Sequence, residues 1–351
     1  MASKSQSKRT VGVVGAGSFG MAVANLLAEN NHVILYARKA EVAEQIRQTG
    51  ENEGVKLHER VSATNSLQEV AEKCDIIFPV VPSANFRQLM RTFAQHLRPY
   101  HILIHGTKGL DLHLAEGEEV STVKKIKRNQ VHTMSEVILQ ETDVLRVGCL
   151  AGPNLARELN DRQPAATVVA SDFTEVIEVG QQLLRSDRFQ VYGSPDLIGV
   201  EFCGVLKNII AIAAGALSGM GMGENARALL VSRGMVEMIH IGNAMGGNTE
   251  AFVGLAGVGD LVATSSSVHS RNYTVGYRLA QGEKLQDIIS TMTEVAEGVN
   301  TIRTIRLLLA ELKTRAPITE TLYRVLYEEL PPREAMQLLM KYPFQTDIDF
   351  L

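Results

Sequence analysis

The chain has no tryptophan at all and only three cysteines among its 351 residues. Cys74, Cys149 and Cys203 are far apart and odd in number. They suggest neither a disulfide framework nor a metal knuckle, and they fit a reducing cytoplasm. An excess of one charge is also missing. Lys and Arg total 35 against 39 Asp and Glu, and no run of about five or six like charges occurs. A general binder of nucleic acid or acidic lipid is therefore not expected. Near-apolar stretches such as IIAIAAGAL (209–217) fall short of the ~18–20 residues that span a bilayer, so no membrane insertion is expected. The first ten residues, MASKSQSKRT, are polar and basic with no apolar stretch behind them, unlike a secretion signal. The nine histidines show no HExxH-like spacing and no carboxylates cluster, so no metal is expected.

What the chain does have is glycine, 29 residues, and an apolar fraction of 45%, enough to bury a core at this length. Its first half alternates short β-branched runs with amphipathic stretches. TVGVVGAG (10–17), HVILYAR (32–38), CDIIFPVVP (74–82), HILIHGTKG (101–109), VGCLAGP (147–153) and ATVVAS (166–171) read as strands, with helical patterns such as SFGMAVANLLAEN (18–30) between them. Apolar strands separated by helices predict βαβ units and a buried parallel sheet. From Pro195 onward helical periodicity dominates, as in LIGVEFCGVLKNIIAIAAGALSG and NTIRTIRLLLAELK. The pattern gives an α/β domain over 1–194 with a Rossmann-like parallel sheet, followed by an all-α domain over 195–351.

Gly15-Ala16-Gly17-Ser18-Phe19-Gly20 ends the first strand and opens a helix, the context in which GxGxxG holds a dinucleotide. Gly15 permits the tight turn, Gly17 lets the backbone approach a pyrophosphate, and Gly20 allows close helix–strand packing. At the end of the next strand, Tyr36-Ala37-Arg38-Lys39 has no acid until Glu41. NAD and FAD sites usually place an acid there, whereas two cations suit a 2′-phosphate, so NADP is favoured over NAD. The alternative is that Arg38 stacks on the adenine and Lys39 is solvated. Pro82 and Ser83 shape either a loop over the cofactor or an ordinary strand-ending turn. Lys108, in GTKGL, lies at the C-terminal end of a strand, where open α/β sheets bind ligands; a solvated loop lysine is the rival reading.

Lys207 shares a helical face with Val200, Cys203, Gly204, Ile210, Ala211 and Ala214, all apolar or small. A lysine is rarely buried without a partner or a task, and desolvation brings its pKa towards proton-transfer range. Gly204, one turn earlier, leaves space for a substrate. The plainer reading is a lysine whose stem crosses the core to reach water. Downstream, 254–276 holds Asp260, Thr264, Ser270, Arg271 and Asn272. Arg271, Asn272 and Ser270 form a polar group suited to a phosphate or carboxylate, and Asp260 is a candidate partner for Lys207.

The segments VGVVGAGSFGMAVA, FPVVPS, TKGL, LAGPNLA, GVLKNIIAIAAG, GMGMGENARALL, SRGMVEM, GLAGVGDLVAT, HSRNYTVG and VAEGV occur in that order. Through them the chain resembles the bacterial NAD(P)-dependent glycerol-3-phosphate dehydrogenases over nearly its whole length. The resemblance implies a Rossmann domain followed by a helical domain, commonly in a homodimer, and hydride exchange between glycerol 3-phosphate and NAD(P). It implies that Ser18, Phe19, Arg38, Lys39 and Ala156 contact the dinucleotide and that Lys108 touches both cofactor and substrate. Gly152 and Asn154 belong by the same implication to the substrate region. Lys207 is similar to the family's catalytic base, with Asn208 beside it and Asp260 and Thr264 in the catalytic group. Asp260, Ser270, Arg271 and Asn272 would bind the glycerol phosphate, Arg271 also reaching the cofactor, and Val295 and Glu297 would close over the nicotinamide side. The chain departs from the pattern at Asn154, where Ser or Thr is usual, at GMGMGEN in place of GLGLGDN, and in the unmatched tail KYPFQTDIDFL. A 6-phosphogluconate or 3-hydroxyacyl-CoA type dehydrogenase is disfavoured by GVLKNI and SRN, and a non-catalytic dinucleotide sensor would have no use for a buried Lys207.

Overall fold

A computed structural model of the chain describes residues 9–114, 118, 123–292, 295–343 and 346. Residues 1–8, read above as unlike a secretion signal, and most of the tail from Phe344 lie outside them. The described chain divides into two compact units. The first takes in residues up to Thr107, Ser135–Leu150 and Asn154–Pro195; the second takes in Lys108–Met134, Ala151–Pro153 and everything from Asp196. The division is not a single cut, because the segments carrying Lys108 and Gly152 pack with the later helices.

The first unit is built on eight strands: β1 (Thr10–Val14), β2 (His32–Tyr36), β3 (Val61–Thr64), β4 (Ile76–Pro79), β5 (Ile102–His105), β6 (Arg146–Ala151), β7 (Ala165–Ala170) and β8 (Phe189–Ser194). They form one mainly parallel sheet in the order β8-β7-β6-β5-β4-β1-β2-β3. Val11, Val13, Ile77, Phe78, Leu103 and Ile104 are fully buried, as expected of strands covered on both faces. Chain order runs one way from β1 to β3 and the other way from β4 to β8, so the switch point falls between β1 and β4. Ligands of open α/β sheets bind at such a point, beyond the strand C-termini. Helix α1 (Ser18–Ala28) follows β1 and buries Met21, Ala24, Leu27 and Ala28.

The second unit is organised around α2 (Leu197–Gly219), with α3 (Glu224–Ala244), α4 (Asp260–Ser266), α5 (Arg271–Ala280) and α6 (Glu297–Leu312) packed on it. The apolar stretch at 209–217, read as too short for a bilayer, is part of this 23-residue helix, which is long and apolar enough to cross one by length and composition. Its apolarity has another use here: 94% of its most apolar window is buried inside the protein. Helices α2 and α5 meet almost backbone to backbone. A Cβ on Gly215 would lie 1.9 Å from the Tyr273 carbonyl oxygen, and one on Gly276 would lie 1.8 Å from that of Ile212. This close crossing fixes the N-terminus of α5 against the middle of α2.

Two further helices, α7 (Pro317–Tyr327) and α8 (Pro332–Met340), complete the unit. The buried Glu237 of α3 holds the first turn of α7, accepting from the Ile318 N–H (2.7 Å), the Thr319 N–H (2.9 Å) and the Thr319 hydroxyl (2.5 Å). Removing the carboxylate strands three buried donors. Glu237→Ala is expected to cost about 2–4 kcal/mol, read as a Tm drop of roughly 5–15 °C in thermal unfolding. An unchanged Tm would show that water satisfies those donors.

Candidate active site

The glycine loop leaves β1 at the switch point. Gly15 has φ +125°, and a Cβ there would fall 2.2 Å from the Val80 carbonyl oxygen; one on Gly20 would fall 1.9 Å from that of Gly15. These two glycines are required by packing. Gly17 is different: nothing lies within 4 Å of its Cβ position. Here the missing side chain leaves open space against the backbone, at the start of a helix with no side-chain cap and no acid in its first turn. Open backbone at a positive helix end is what a pyrophosphate needs, so these residues fit a dinucleotide. Phe19 sits close to Gly106, whose added Cβ would be 3.1 Å from its ring, and Phe19 and Ala156 both pack against the sheet's core. Arg38 and Lys39 are exposed just beyond β2, and Glu41 lies in the first turn of helix Ala40–Thr49. Asn154 is buried and donates to the Thr167 hydroxyl at 2.8 Å, a bond internal to the first unit.

Within the second unit four side chains converge. Lys207, in the middle of α2 and 5% exposed, donates to Asp260 Oδ1 and to Thr264 Oγ1, each at 2.5 Å. The Thr264 hydroxyl donates to the same Asp260 oxygen at 3.2 Å. Lys108 donates to the other carboxylate oxygen at 2.7 Å and to the Gly152 carbonyl at 3.4 Å. Asp260 opens α4 directly after a π-helical turn, Leu255–Gly259, the kind of irregularity that re-aims a side chain. The sequence offers Asp260 as a candidate partner for Lys207 but does not point to the second lysine, Lys108, which lies 152 residues away from that aspartate. The space expected for substrate beside Gly204 is also filled differently. The Lys108 stem occupies it, with Cγ 3.4 Å from where a Gly204 Cβ would stand.

Burial lowers the Lys207 pKa to about 7; the positive charge of Lys108 acts in the same direction and Asp260 opposes both. Burial alone would raise Asp260, but the two ammonium groups outweigh it and hold the carboxyl below its usual value. The cluster of two lysines and one aspartate carries a net positive charge when all three are ionised, suited to an oxyanion.

A second network adjoins it. The Asn208 amide donates to the Gly204 carbonyl at 3.3 Å, and its oxygen accepts from Asn272 at 2.9 Å. The Asn272 oxygen accepts from the Gly298 N–H, also at 2.9 Å. Gly298, which the sequence reading passed over, is needed because a Cβ there would come within 2.7 Å of that Asn272 oxygen. Ser270 caps α5, its hydroxyl accepting from the Tyr273 N–H at 3.3 Å. Arg271 is exposed and donates to the Val295 carbonyl at 3.2 Å. Glu297 begins α6 next to Gly298. Thus Lys108, Gly152, Lys207, Asn208, Asp260, Thr264, Ser270, Arg271, Asn272, Val295 and Glu297 belong to connected elements of one unit, while the glycine loop, Arg38, Lys39, Asn154 and Ala156 belong to the other.

The chain is similar to known proteins over nearly its whole length. Residues 10–176 match the family model for the NAD-dependent glycerol-3-phosphate dehydrogenase N-terminus, and residues 196–337 match the model for its C-terminus. A glycerol-3-phosphate dehydrogenase [NAD(P)+] of Pseudomonas fluorescens (strain SBW25) is 40% identical over 349 residues, 98% of this chain and 97% of that protein. The one from Ectopseudomonas mendocina (strain ymp) is 38% identical over 346 residues, 97% of each chain. Among solved structures, the glycerol-3-phosphate dehydrogenase of Coxiella burnetii superposes with a TM-score of 0.84 at 31% identity, covering 95% of this chain and 99% of that one.

Proposed function

The chain belongs to the NAD-dependent glycerol-3-phosphate dehydrogenase family and is an oxidoreductase using NAD(P), and from that premise we propose how its residues divide the reaction. The reaction interconverts sn-glycerol 3-phosphate and dihydroxyacetone phosphate, and its reductive direction supplies glycerol 3-phosphate for phospholipid synthesis. The hydride chemistry is that of bound NAD(P), which Gly15, Gly17, Ser18, Phe19, Gly20, Arg38, Lys39 and Ala156 would hold. The observation that carries the assignment is the buried Lys207 ammonium fixed between Asp260 and Thr264. Two of its N–H groups are committed there, and the third serves the substrate oxygen. In reduction Lys207 gives its proton to the oxygen of the former carbonyl; in oxidation it takes the hydroxyl proton back. Its charge, with that of Lys108, stabilises the alkoxide between those steps. Asp260 orients both lysines, and Thr264 fixes the Lys207 rotamer.

The substrate phosphate is assigned to the N-terminus of α5. The first backbone N–H groups of that helix and the exposed Arg271 side chain would supply its donors, with the Ser270 cap and the Asn208–Asn272–Gly298 network holding that end in place. By the family resemblance Gly152 and Asn154 would contribute to the substrate region, and Val295 and Glu297 would close over the nicotinamide. The absorbance of NADPH or NADH at 340 nm, followed with dihydroxyacetone phosphate, tests this reading. No turnover with either coenzyme would refute it. A cytoplasmic homodimer is the proposed working form. The family resemblance supports the dimer, and the burial of all three cysteines without a disulfide agrees with a reducing compartment.

Coenzyme choice is proposed to favour NADP, supported by exposed Arg38 and Lys39 where an acid would stand for NAD. A charge-assisted bond to the 2′-phosphate is worth ~1.5–3 kcal/mol, so Arg38→Asp should weaken NADPH by roughly one to two decades while sparing NADH. Titration of both coenzymes by fluorescence measures the difference. Equal losses would make Arg38 a stacking residue.

A further inference from the structure

The first unit carries a cleft that the dehydrogenase reaction does not use. Its residues lie where β2, β3, β7 and β8 begin, at the end of the sheet opposite to the glycine loop that follows β1. Helix α1 separates the two places. Gly17 stands at its start and Glu29 at its finish, its 11 residues spanning about 16 Å. The cleft has a volume of about 870 Å³, and every side chain lining it is polar or charged. Four arginines, at 60, 162, 185 and 188, stand there against two acids, Glu29 and Asp187, an excess of two positive charges.

Part of that charge is spent on the fold. Arg188 donates to Glu29 at 2.7 Å and to the Leu159 carbonyl at 3.2 Å. Arg60 covers the negative end of α1, donating from Nε and Nη2 to the Ala28 and Glu29 carbonyls, each at 2.7 Å, which leaves Nη1. The rest is not spent. Arg185 is exposed and gives one nitrogen to the Val191 carbonyl at 3.1 Å. Arg162 comes only within 3.6 Å of Glu29, longer than a hydrogen bond, and its side chain is 68% exposed. It also has φ +59°, a region that favours glycine, so the chain carries this guanidinium at a local conformational cost. The lining contains an orphan as well: the buried Ser186 hydroxyl has no hydrogen-bond partner among the described residues.

We propose that this cleft binds a compact polyanion bearing two or more phosphoryl groups, held by Arg162, Arg185 and the free edge of Arg60. An apolar tail or a hydrophobic peptide would find nothing there to pack on. Guanidinium groups on three separate segments suit several phosphoryl groups rather than one, each planar fork taking two oxygens. His58 supplies a reporter in the same lining. Its Nδ1 accepts from the Arg60 N–H at 3.1 Å, and burial followed by the Arg60 charge holds its pKa below the usual value.

The test is NMR of isotope-labelled histidine in the full-length protein, saturated with NADPH and kept at fixed ionic strength, with His58→Asn identifying the His58 resonance. Tripolyphosphate should shift that resonance saturably, at one site per chain, and raise the His58 pKa, since a bound anion favours the imidazolium. Inorganic phosphate and citrate should each bind at least about tenfold more weakly. Tighter binding of ATP than of tripolyphosphate would identify a nucleoside polyphosphate, and the reverse a ligand without a base. Arg185→Gln and Arg162→Gly should each weaken tripolyphosphate about tenfold and leave the 340 nm activity unchanged. Glycine takes the backbone of residue 162 without strain, and Arg162→Asn, also tolerant of it, is the second variant should the first not fold. No saturable response of His58, an equal response to citrate, or affinity unchanged in both arginine variants would overturn the proposal. So would a response that Arg271→Ala removes, because the anion would then sit in the substrate site.

Discussion

Lys207→Met is expected to lower kcat by at least ~10²–10⁴-fold, the range for losing a general acid–base, with a further loss from the missing charge. Methionine keeps the length and apolar stem of the side chain in a site that is 5% exposed, so the packing of α2 survives. Asp260 does not become an uncompensated buried charge, because Lys108 still donates to its second oxygen at 2.7 Å. Coenzyme binding should also survive, since the glycine loop belongs to the first unit. Lys207→Arg should not rescue the rate, because a guanidinium does not release its proton at neutral pH. Steady-state kcat, with coenzyme affinity by fluorescence and folding by circular dichroism, measures all three. A folded variant with near-normal kcat would make Lys207 a structural lysine held by Asp260.

Arg271→Ala should lower kcat/KM for dihydroxyacetone phosphate by about a hundredfold or more, two charge-assisted bonds to a phosphate being worth ~3 kcal/mol or above. The weak reduction of unphosphorylated dihydroxyacetone should change little. Arg271 is exposed, so its truncation leaves no cavity and the fold is retained. Arg271→Lys should recover only part of the loss, because a point charge cannot reproduce a planar fork. Equal losses on the two substrates would move Arg271 from the phosphate to the coenzyme.

Six strands of the sheet are legible in the sequence because each is a continuous apolar run between turn residues. The other two, β3 (VSAT) and β8 (FQVYGS), are the edges of the sheet, and their partly exposed patterns carry no such run. The glycine loop is readable because packing forces two of its three glycines, while the third, Gly17, borders open space. Lys207 is readable because burial of a charge contradicts the helix face on which it stands. What local pattern does not reveal are the contacts made by long-range folding: Lys108 reaching Asp260, its stem filling the space beside Gly204, and the Gly298 N–H closing the asparagine network. Ser270 and Asn272 appear in sequence simply as polar neighbours of Arg271. The structure shows their side chains occupied in fixing α5, which limits what each offers a phosphate beyond its position.

The central claim is that one buried lysine gives the proton in reduction and takes it in oxidation, and the pH dependence of kcat in the two directions tests it most directly. Burial lowers Lys207 to about 7. Reduction requires the ammonium, so its kcat should be full below that pH and fall as pH rises through it. Oxidation requires the free amine, so its kcat should rise through the same pH. The inflections belong to the cluster of Lys207, Asp260 and Lys108 together, and they should coincide. In Lys207→Met both should vanish from the residual rate. Profiles that run in the same direction, or inflections that persist unchanged in Lys207→Met, would contradict the account.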